Sequence, residues 1–220
     1  MTGTVTRLRH GRTELALHEL RAGADGGHPL LHLHGLAERS PAAAPAIYDA
    51  WPGPVFALDF TGHGESTVPK GGGYTCEMLM ADVDAALAHL GSATVVGRGI
   101  GAYVAVLIAG GRPDLVRGAI LRDGPGLTGG GITPTSPYVA SVDPDTPAPP
   151  DPWALAELTR DPRPPDYATS FVRQAVHFGD EAEPITVCAI GRPAWLEAVV
   201  QEPGVRVATL ADALTGYATA

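Results

Sequence analysis

The stretch from Thr94 to Ala109 constrains the fold of this chain more than any other. A short apolar strand at Thr94-Val95-Val96 runs into Gly97-Arg98-Gly99-Ile100-Gly101 and then into an apolar run that ends at Ala109. That run is long enough for a buried helix, and glycine lets the backbone turn sharply and approach its neighbours closely. We therefore predict a strand, a tight turn and a helix, with Gly99 at the apex of the turn.

A dinucleotide-binding loop is the alternative interpretation of glycines that follow a strand. Its fingerprint is Gly-x-Gly-x-x-Gly inside a βαβ unit. Here the third glycine, Gly101, comes one residue early, and the sequence offers no first βαβ unit around it. The spacing therefore disfavours a nucleotide site, and we expect no cofactor.

Composition limits the class of protein. A chain of 220 residues can build one domain with a sizeable core. The formal net charge is -9, from 24 acidic and 15 basic residues, and the arginines are scattered, which disfavours nucleic acid and anionic membrane surfaces as partners. No apolar run approaches the ~20 residues of a membrane span, and residues 1–4 do not begin a signal peptide. We expect a soluble, cytoplasmic protein.

The two cysteines give no evidence for a disulfide or a metal site. Cys76 and Cys188 are far apart in the sequence and fall at a predicted helix start and in a predicted buried strand. Two such cysteines form neither a disulfide framework nor a set of metal ligands. We therefore expect no metal site.

The first third of the chain alternates strand-like and helix-like segments. Period-two alternation predicts a β-hairpin over residues 4–9 and 15–21. Continuous apolar runs predict buried strands over 29–33 and 55–59, with a short helix over 42–51 between them.

A longer helix is predicted over residues 76–90. Thr75 can cap its start and Gly91 can end it. Asp82 and Asp84 are assigned to its solvated face. The apolar stripe that would face the core contains Leu79, Val83, Ala86, Leu87 and Leu90.

A resemblance to a known family begins at Asp59, where the segment to Ser66 has the pattern Asp-x-x-Gly-His-Gly-x-Ser. This loop resembles that of the α/β-hydrolase superfamily, in its branch of epoxide hydrolases, dehalogenases and carbon–carbon hydrolases. His34-Gly35 is similar to the His-Gly that follows the third strand of that family, and residues 97–101 fall at its nucleophile elbow. Residues 112–121 resemble the passage into the sixth strand. Four landmarks in order, over residues 4–123, are more specific than any one of them.

The resemblance implies an α/β fold with an eight-stranded, mostly parallel sheet and flanking helices. Residues 1–123 and 184–220 would form the core, and the Pro/Gly-rich residues 124–183 a reduced cap. The cap would contain helices over 153–160 and 167–178. The last two strands, over 184–191 and 205–210, would be joined by a helix over 193–200.

The catalytic groups that the family would supply are missing from their expected positions. The family's nucleophile stands at the centre of the elbow, where this chain has Gly99. The family's acid would follow the first of the last two strands, but residues 192–195 contain no carboxylate. Its histidine would follow the second, but no histidine occurs after His177.

Three side chains and several backbone groups remain as weak candidates for chemistry. Asp123 could orient a base, or form a turn before Gly124-Pro125. His34 could act in the site or bond nearby backbone, and His177 could face the pocket or lie on the surface. The backbone N–H groups of Ile100 and of Leu36 or Ala37 could still form an oxyanion hole. The predicted ligand contacts are His34, Gly35, Leu36, Arg98, Gly99, Ile100 and Asp123.

Three functional hypotheses follow. The first is a non-catalytic protein that binds a small apolar ligand with a carbonyl or carboxylate head, or a protein partner. The second is a hydrolase of ester, epoxide or carbon–carbon bonds that uses an atypical set such as Asp123 with His34 or His177. The third is a structural subunit that assembles with itself or with an active homologue.

Replacing Gly99 by serine is expected to lower the free energy of unfolding by about 1 kcal/mol, because it restores the backbone strain of the elbow.

Overall fold

The computed structural model describes residues 4–23, 27–130 and 149–218. Its strands form one eight-stranded sheet in the order β1-β2-β4-β3-β5-β6-β7-β8, antiparallel at the β1–β2 and β2–β4 pairs and parallel at the other five. This confirms the predicted fold class. The strands are β1 (Val5–His10), β2 (Thr13–Arg21), β3 (Leu30–Leu33), β4 (Val55–Asp59), β5 (Ala93–Arg98), β6 (Val116–Arg122), β7 (Ile185–Val187) and β8 (Val205–Val207).

Helices flank the sheet. In the parts of the chain that are described, no helix is both long enough and apolar enough to cross a membrane. The helices are α1 (Cys76–Leu90), α2 (Ile100–Gly111), α3 (Pro152–Arg160), α4 (Pro165–Phe178), α5 (Ala194–Val200) and α6 (Leu210–Ala218).

Helix α1 has the predicted bounds because its signals are local. The Thr75 hydroxyl accepts the N–H of Met78 at 3.2 Å, and Gly91 ends the helix with φ of 84°. The solvated position predicted for Asp82 is wrong, since this residue is fully buried. Its carboxylate accepts the N–H and the hydroxyl of Thr61 at 2.8 and 2.9 Å, and it bonds His10 Nδ1 at 2.8 Å.

Three other predicted elements differ from the structure. The helix predicted over 42–51 is only a 3-10 turn over Ala46–Tyr48, because Pro45 precedes it and cannot donate a helical hydrogen bond. The last two strands, predicted over 184–191 and 205–210, end at Val187 and Val207, and α6 follows the second of them. Thr209 caps this helix by accepting the N–H of Asp212 at 3.2 Å.

The core continues from the sheet into the helices of the predicted cap. Every residue of α2 from Ile100 to Gly110 is buried. A Cβ on Gly110 would lie 2.4 Å from the carbonyl oxygen of Phe171, so α4 packs closely along α2. Leu158 of α3 and Val172 of α4 belong to the same hydrophobic cluster as the sheet. Residues 131–148 of the predicted cap lie outside the described residues.

Candidate functional site

The tight turn between β5 and α2 forms as the glycine spacing predicts. Gly99 is its apex, with φ of 60° and ψ of -122°. A Cβ on Gly97 would lie 2.1 Å from the carbonyl oxygen of Gly101, and a Cβ on Gly101 would lie 2.7 Å from that of Leu33. Such distances are far below a normal contact, so Gly97 is needed where the first turn of α2 folds back over β5, and Gly101 is needed where that turn packs against the end of β3.

Two backbone N–H groups converge above this turn, and both are already bonded. The N–H groups of Leu36 and Ile100 each donate to the carbonyl oxygen of Pro125, both at 3.0 Å. The two donors predicted to be free for a ligand are therefore paired within the chain. Of the alternatives Leu36 and Ala37, the structure uses Leu36.

The Pro125 carbonyl takes the space that a side chain at the apex would need. A Cβ on Gly99 would lie 2.0 Å from this oxygen and 2.7 Å from the carbonyl carbon of Gly124. Glycine at position 99 thus leaves room for the carbonyl, and any larger residue would collide with it.

The segment from Gly124 to Leu127, here called the elbow plug, is hydrogen-bonded at all four of its carbonyls. Gly124 O accepts the N–H of Leu127 at 3.3 Å, within the segment. Gly126 O accepts from Arg163 Nη1, and Leu127 O accepts from Trp195 Nε1 at 2.8 Å. The sequence pattern does not indicate the roles of Pro125, Arg163 and Trp195, since the Gly-Pro-Gly run at 124–126 predicts only a turn.

His34 is buried and both of its ring nitrogens contact backbone. Nδ1 donates to Gly35 O at 2.8 Å, and Nε2 accepts the N–H of Phe60 at 3.1 Å, which fixes the neutral tautomer. Burial lowers the pKa of His34 to about 4. Because its only lone pair is taken by the Phe60 N–H, this ring has no free nitrogen to accept a proton from a nucleophile.

The loop after β4 is held by Asp59. Its carboxylate accepts the N–H groups of Ser40 and Glu65 at 2.7 and 2.8 Å, and it bonds His18 Nε2 at 2.9 Å. His63 lies in the same loop, buried, with Nδ1 bonded to Thr61 O at 3.2 Å and no partner at Nε2 within the described structure. Burial lowers the pKa of His63 to about 4.

Asp123 fastens two neighbouring strands. Its carboxylate accepts the N–H groups of Ile190 and Gly191 at 2.7 and 2.9 Å, and so ties the end of β6 to the turn after β7. His34 uses its own nitrogens elsewhere, so the structure does not pair it with Asp123.

His177 lies far from the elbow. It is exposed near the end of α4, with its ring against Phe178 at 4.5 Å between centroids. The neighbouring Gly179 approaches Pro113, which follows the C-terminal end of α2. Gly99 precedes the N-terminal end of the same helix. A helix of 12 residues spans about 18 Å. The structure therefore does not bring His177 to the turn, and the predicted set of Asp123 with His34 or His177 is not assembled.

Arg98 and Gly35 complete the predicted contacts, and they share one partner. Glu38 accepts the N–H of Gly35 at 2.9 Å through Oε2 and pairs with Arg98 through Oε1. The polar groups predicted to contact a ligand are thus bonded to other parts of the chain in this conformation.

Comparison with known proteins identifies this arrangement of strands and loops. The family described as alpha/beta hydrolase fold matches residues 28–182, more than half of the chain. No curated protein sequence matches this chain significantly.

Solved structures agree on the fold over the whole chain. The thioesterase domain from the curacin biosynthetic pathway has a TM-score of 0.63 and 16% identity, covering 100% of this chain and 99% of its own. A point mutant of haloalkane dehalogenase DatA from Agrobacterium tumefaciens C58 has a TM-score of 0.62 and 18% identity, and the match covers 100% of this chain and 98% of that protein. A hypothetical protein from Pseudomonas aeruginosa PAO1 has a TM-score of 0.62 and 18% identity, and the match covers 98% of this chain and 96% of that protein. At such identities the likeness establishes the fold.

Proposed function

We propose that this chain, which belongs to the α/β-hydrolase fold family, acts by binding rather than by breaking bonds. The observation that carries this proposal is the occupant of the elbow. Position 99 has no side chain, and the space where a nucleophile would begin holds the Pro125 carbonyl, bonded to the N–H groups of Leu36 and Ile100.

The remaining polar groups support the same proposal. Nucleophilic catalysis needs an attacking side chain, a base within hydrogen-bond reach and a group that orients the base. His34 has no free nitrogen, and Asp123 holds backbone N–H groups rather than a base. In a triad enzyme the loss of the serine or the histidine alone lowers turnover by roughly six orders of magnitude.

The chemistry of the two converging donors indicates the class of ligand. Two backbone N–H groups aimed at one point select an acceptor oxygen, as in a carbonyl or a carboxylate. The Pro125 oxygen is an acceptor of this kind, held at ordinary hydrogen-bond distances. Buried Leu36 and Ile100 supply apolar surface beside it. We therefore propose a small apolar ligand with a carbonyl or carboxylate head, in preference to a protein partner.

An ester hydrolysis assay tests the non-catalytic part of this proposal. The purified chain is expected to release p-nitrophenol from p-nitrophenyl acetate and butyrate no faster than a heat-denatured sample, because Gly99 supplies no nucleophile and neither His34 nor Asp123 is free to act as a base in the described structure. A saturable rate in the wild type that Asp123→Ala abolishes would instead establish an enzyme with an atypical catalytic set.

The same variant tests the structural role of Asp123. Asp123→Ala is expected to lower the free energy of unfolding by about 1 kcal/mol, because two charge-assisted hydrogen bonds at an exposed site are lost. Asp114→Ala, which removes an exposed aspartate from a turn, is the matched control. Urea unfolding of the three proteins measures the difference, and equal stability of the two variants would contradict the role of Asp123 as a fastener.

A further inference from the structure

We infer that the elbow plug is a displaceable internal competitor for the N–H groups of Leu36 and Ile100, and that Arg163 and Trp195 act as the latch that keeps it in place. This inference rests on the proposed function, because it concerns access to the same two donors. It predicts that an external carbonyl or carboxylate reaches them only when the Pro125 oxygen leaves.

The plug is held by hydrogen bonds more than by buried side chains. Gly124 and Gly126 have no side chains, Pro125 is exposed, and only Leu127 is buried. Gly126 has φ of 77°, and a Cβ on it would lie 2.7 Å from Leu36 Cβ, so its backbone lies directly against the apolar floor of the site. Segments that bury few apolar groups open at lower free energy than the core.

The latch consists of two buried side-chain donors from separate elements. Arg163, in the segment between α3 and α4, is 5% exposed and donates to Gly126 O. Trp195, in α5, is 1% exposed and donates to Leu127 O at 2.8 Å. Both are buried, so the loss of either bond leaves a polar group without water to replace it.

One side chain of the elbow helix connects the two halves of the latch. The Tyr103 ring lies edge-on to Trp195 at 5.0 Å between centroids, and the Arg163 guanidinium lies 5.3 Å from its centroid. Tyr103 is one turn along α2 from Ile100. The latch is therefore built on the same rigid helix that supplies one of the two donors, which fixes the plug relative to the site that it fills.

A competitor of this kind has a quantitative consequence. When only a fraction of the molecules is open, the apparent dissociation constant of a ligand is raised by the inverse of that fraction. A variant that weakens the latch raises the open fraction. It is expected to bind an external acceptor more tightly, although the contacts between the ligand and the site are unchanged.

Amide hydrogen exchange in the full chain tests the latch without any ligand. Trp195→Phe keeps an aromatic ring and removes the Nε1 donor, and Trp153→Phe, at a 44% exposed tryptophan, is the matched control. We expect exchange at Leu36 and Ile100 to be about tenfold faster in Trp195→Phe, the factor that corresponds to one lost hydrogen bond, with strand amides such as that of Val95 unchanged. Arg163→Met provides a second variant with the same expectation. Unchanged exchange at Leu36 and Ile100 in both variants would overturn the inference.

A butyrate titration, followed by the amide shifts of Leu36 and Ile100, separates this inference from the proposed function. Competition predicts a dissociation constant about tenfold lower for Trp195→Phe than for wild type and Trp153→Phe. Equal binding by all three proteins would refute competition and leave the ligand class standing. Faster exchange in Trp195→Phe with no shift change in any protein would support the latch and refute the proposed carboxylate ligand.

Discussion

Gly99→Ala is expected to lower the free energy of unfolding by about 3 kcal/mol, because the added methyl group must displace the Pro125 carbonyl. The Cβ would lie 2.0 Å from that oxygen and 2.7 Å from the carbonyl carbon of Gly124. Both atoms belong to backbone whose carbonyl groups are hydrogen-bonded. Urea unfolding of the variant and the wild type measures the change. Exchange of the Leu36 amide should accelerate as well, since its acceptor is pushed away.

The positive φ of Gly99 is a separate contribution, and a second glycine with a similar φ gives a comparison without a collision. Gly11 has φ of 58°, close to the 60° of Gly99, but a Cβ there would have no atom within 4 Å. Gly11→Ala is therefore expected to cost only about 1 kcal/mol, from backbone strain alone. Equal costs at the two positions would mean that the plug does not fill the elbow. The sequence-based value of about 1 kcal/mol for a serine at position 99 counted this strain and omitted the collision.

Acidification from pH 7 to pH 4.5 is expected to remove several kcal/mol of stability, because three histidines are buried in neutral form. Burial lowers the pKa of His32, His34 and His63 to about 4, from 6.5 in an unfolded chain. As the pH falls below 6.5 the unfolded chain takes up these protons and the folded chain does not, so unfolding becomes more favourable. The free energy of unfolding keeps its full value above about pH 6.5. The loss is complete by about pH 4 and amounts to roughly 3 kcal/mol for each histidine as an upper value.

Two buried acidic groups act on this dependence with opposite signs. Burial raises the pKa of Asp82, and a raised carboxyl pKa favours folding as the pH falls. Backbone hydrogen bonds from Glu65 and Ser40 outweigh burial and lower the pKa of Asp59, so this carboxylate loses its contribution only in stronger acid. Asp82 therefore offsets part of the loss of stability that the three buried histidines cause.

Chemical unfolding at several pH values, with one histidine removed, tests this assignment. His63→Phe deletes the Nε2 atom that has no partner in the described structure, and it should reduce the loss between pH 7 and pH 4.5 by about one third. His177→Gln, at an exposed position, is the control and should retain the full loss. Identical pH dependence in all three proteins would place the acid sensitivity outside the buried histidines.

The predictions that succeeded depended on local or repeated signals. The bounds of α1 followed from Thr75 and Gly91, and the eight-stranded, mostly parallel sheet followed from the family resemblance carried by four landmarks along residues 4–123. The burial of Asp82 could have been predicted, since it lies three residues after Leu79 and four before Ala86, on the apolar face of α1. The error came from treating charge as sufficient evidence of exposure.

The content of the site could not be predicted in the same way. The sequence located the glycine turn and offered Ile100 and either Leu36 or Ala37 as the N–H donors beside it, because glycines and a His-Gly pair mark these positions. What bonds to those donors is the Pro125 backbone carbonyl, and the next two carbonyls of the same segment, those of Gly126 and Leu127, bond the distant residues Arg163 and Trp195. A backbone acceptor leaves no residue-type signal, so a pattern of side chains cannot indicate that it is present.

The outer glycines of the turn have a consequence for how such chains are recognised. Gly97 and Gly101 are needed because the first turn of α2 lies at backbone distance from β5 and from the end of β3, and this requirement is independent of any reaction at position 99. Two of the three glycines thus mark the architecture, while the central position alone would mark chemistry. A search pattern that demands a nucleophile at the centre would reject this chain, whereas one that keeps only the flanking glycines would find its fold and leave activity to be judged from residue 99.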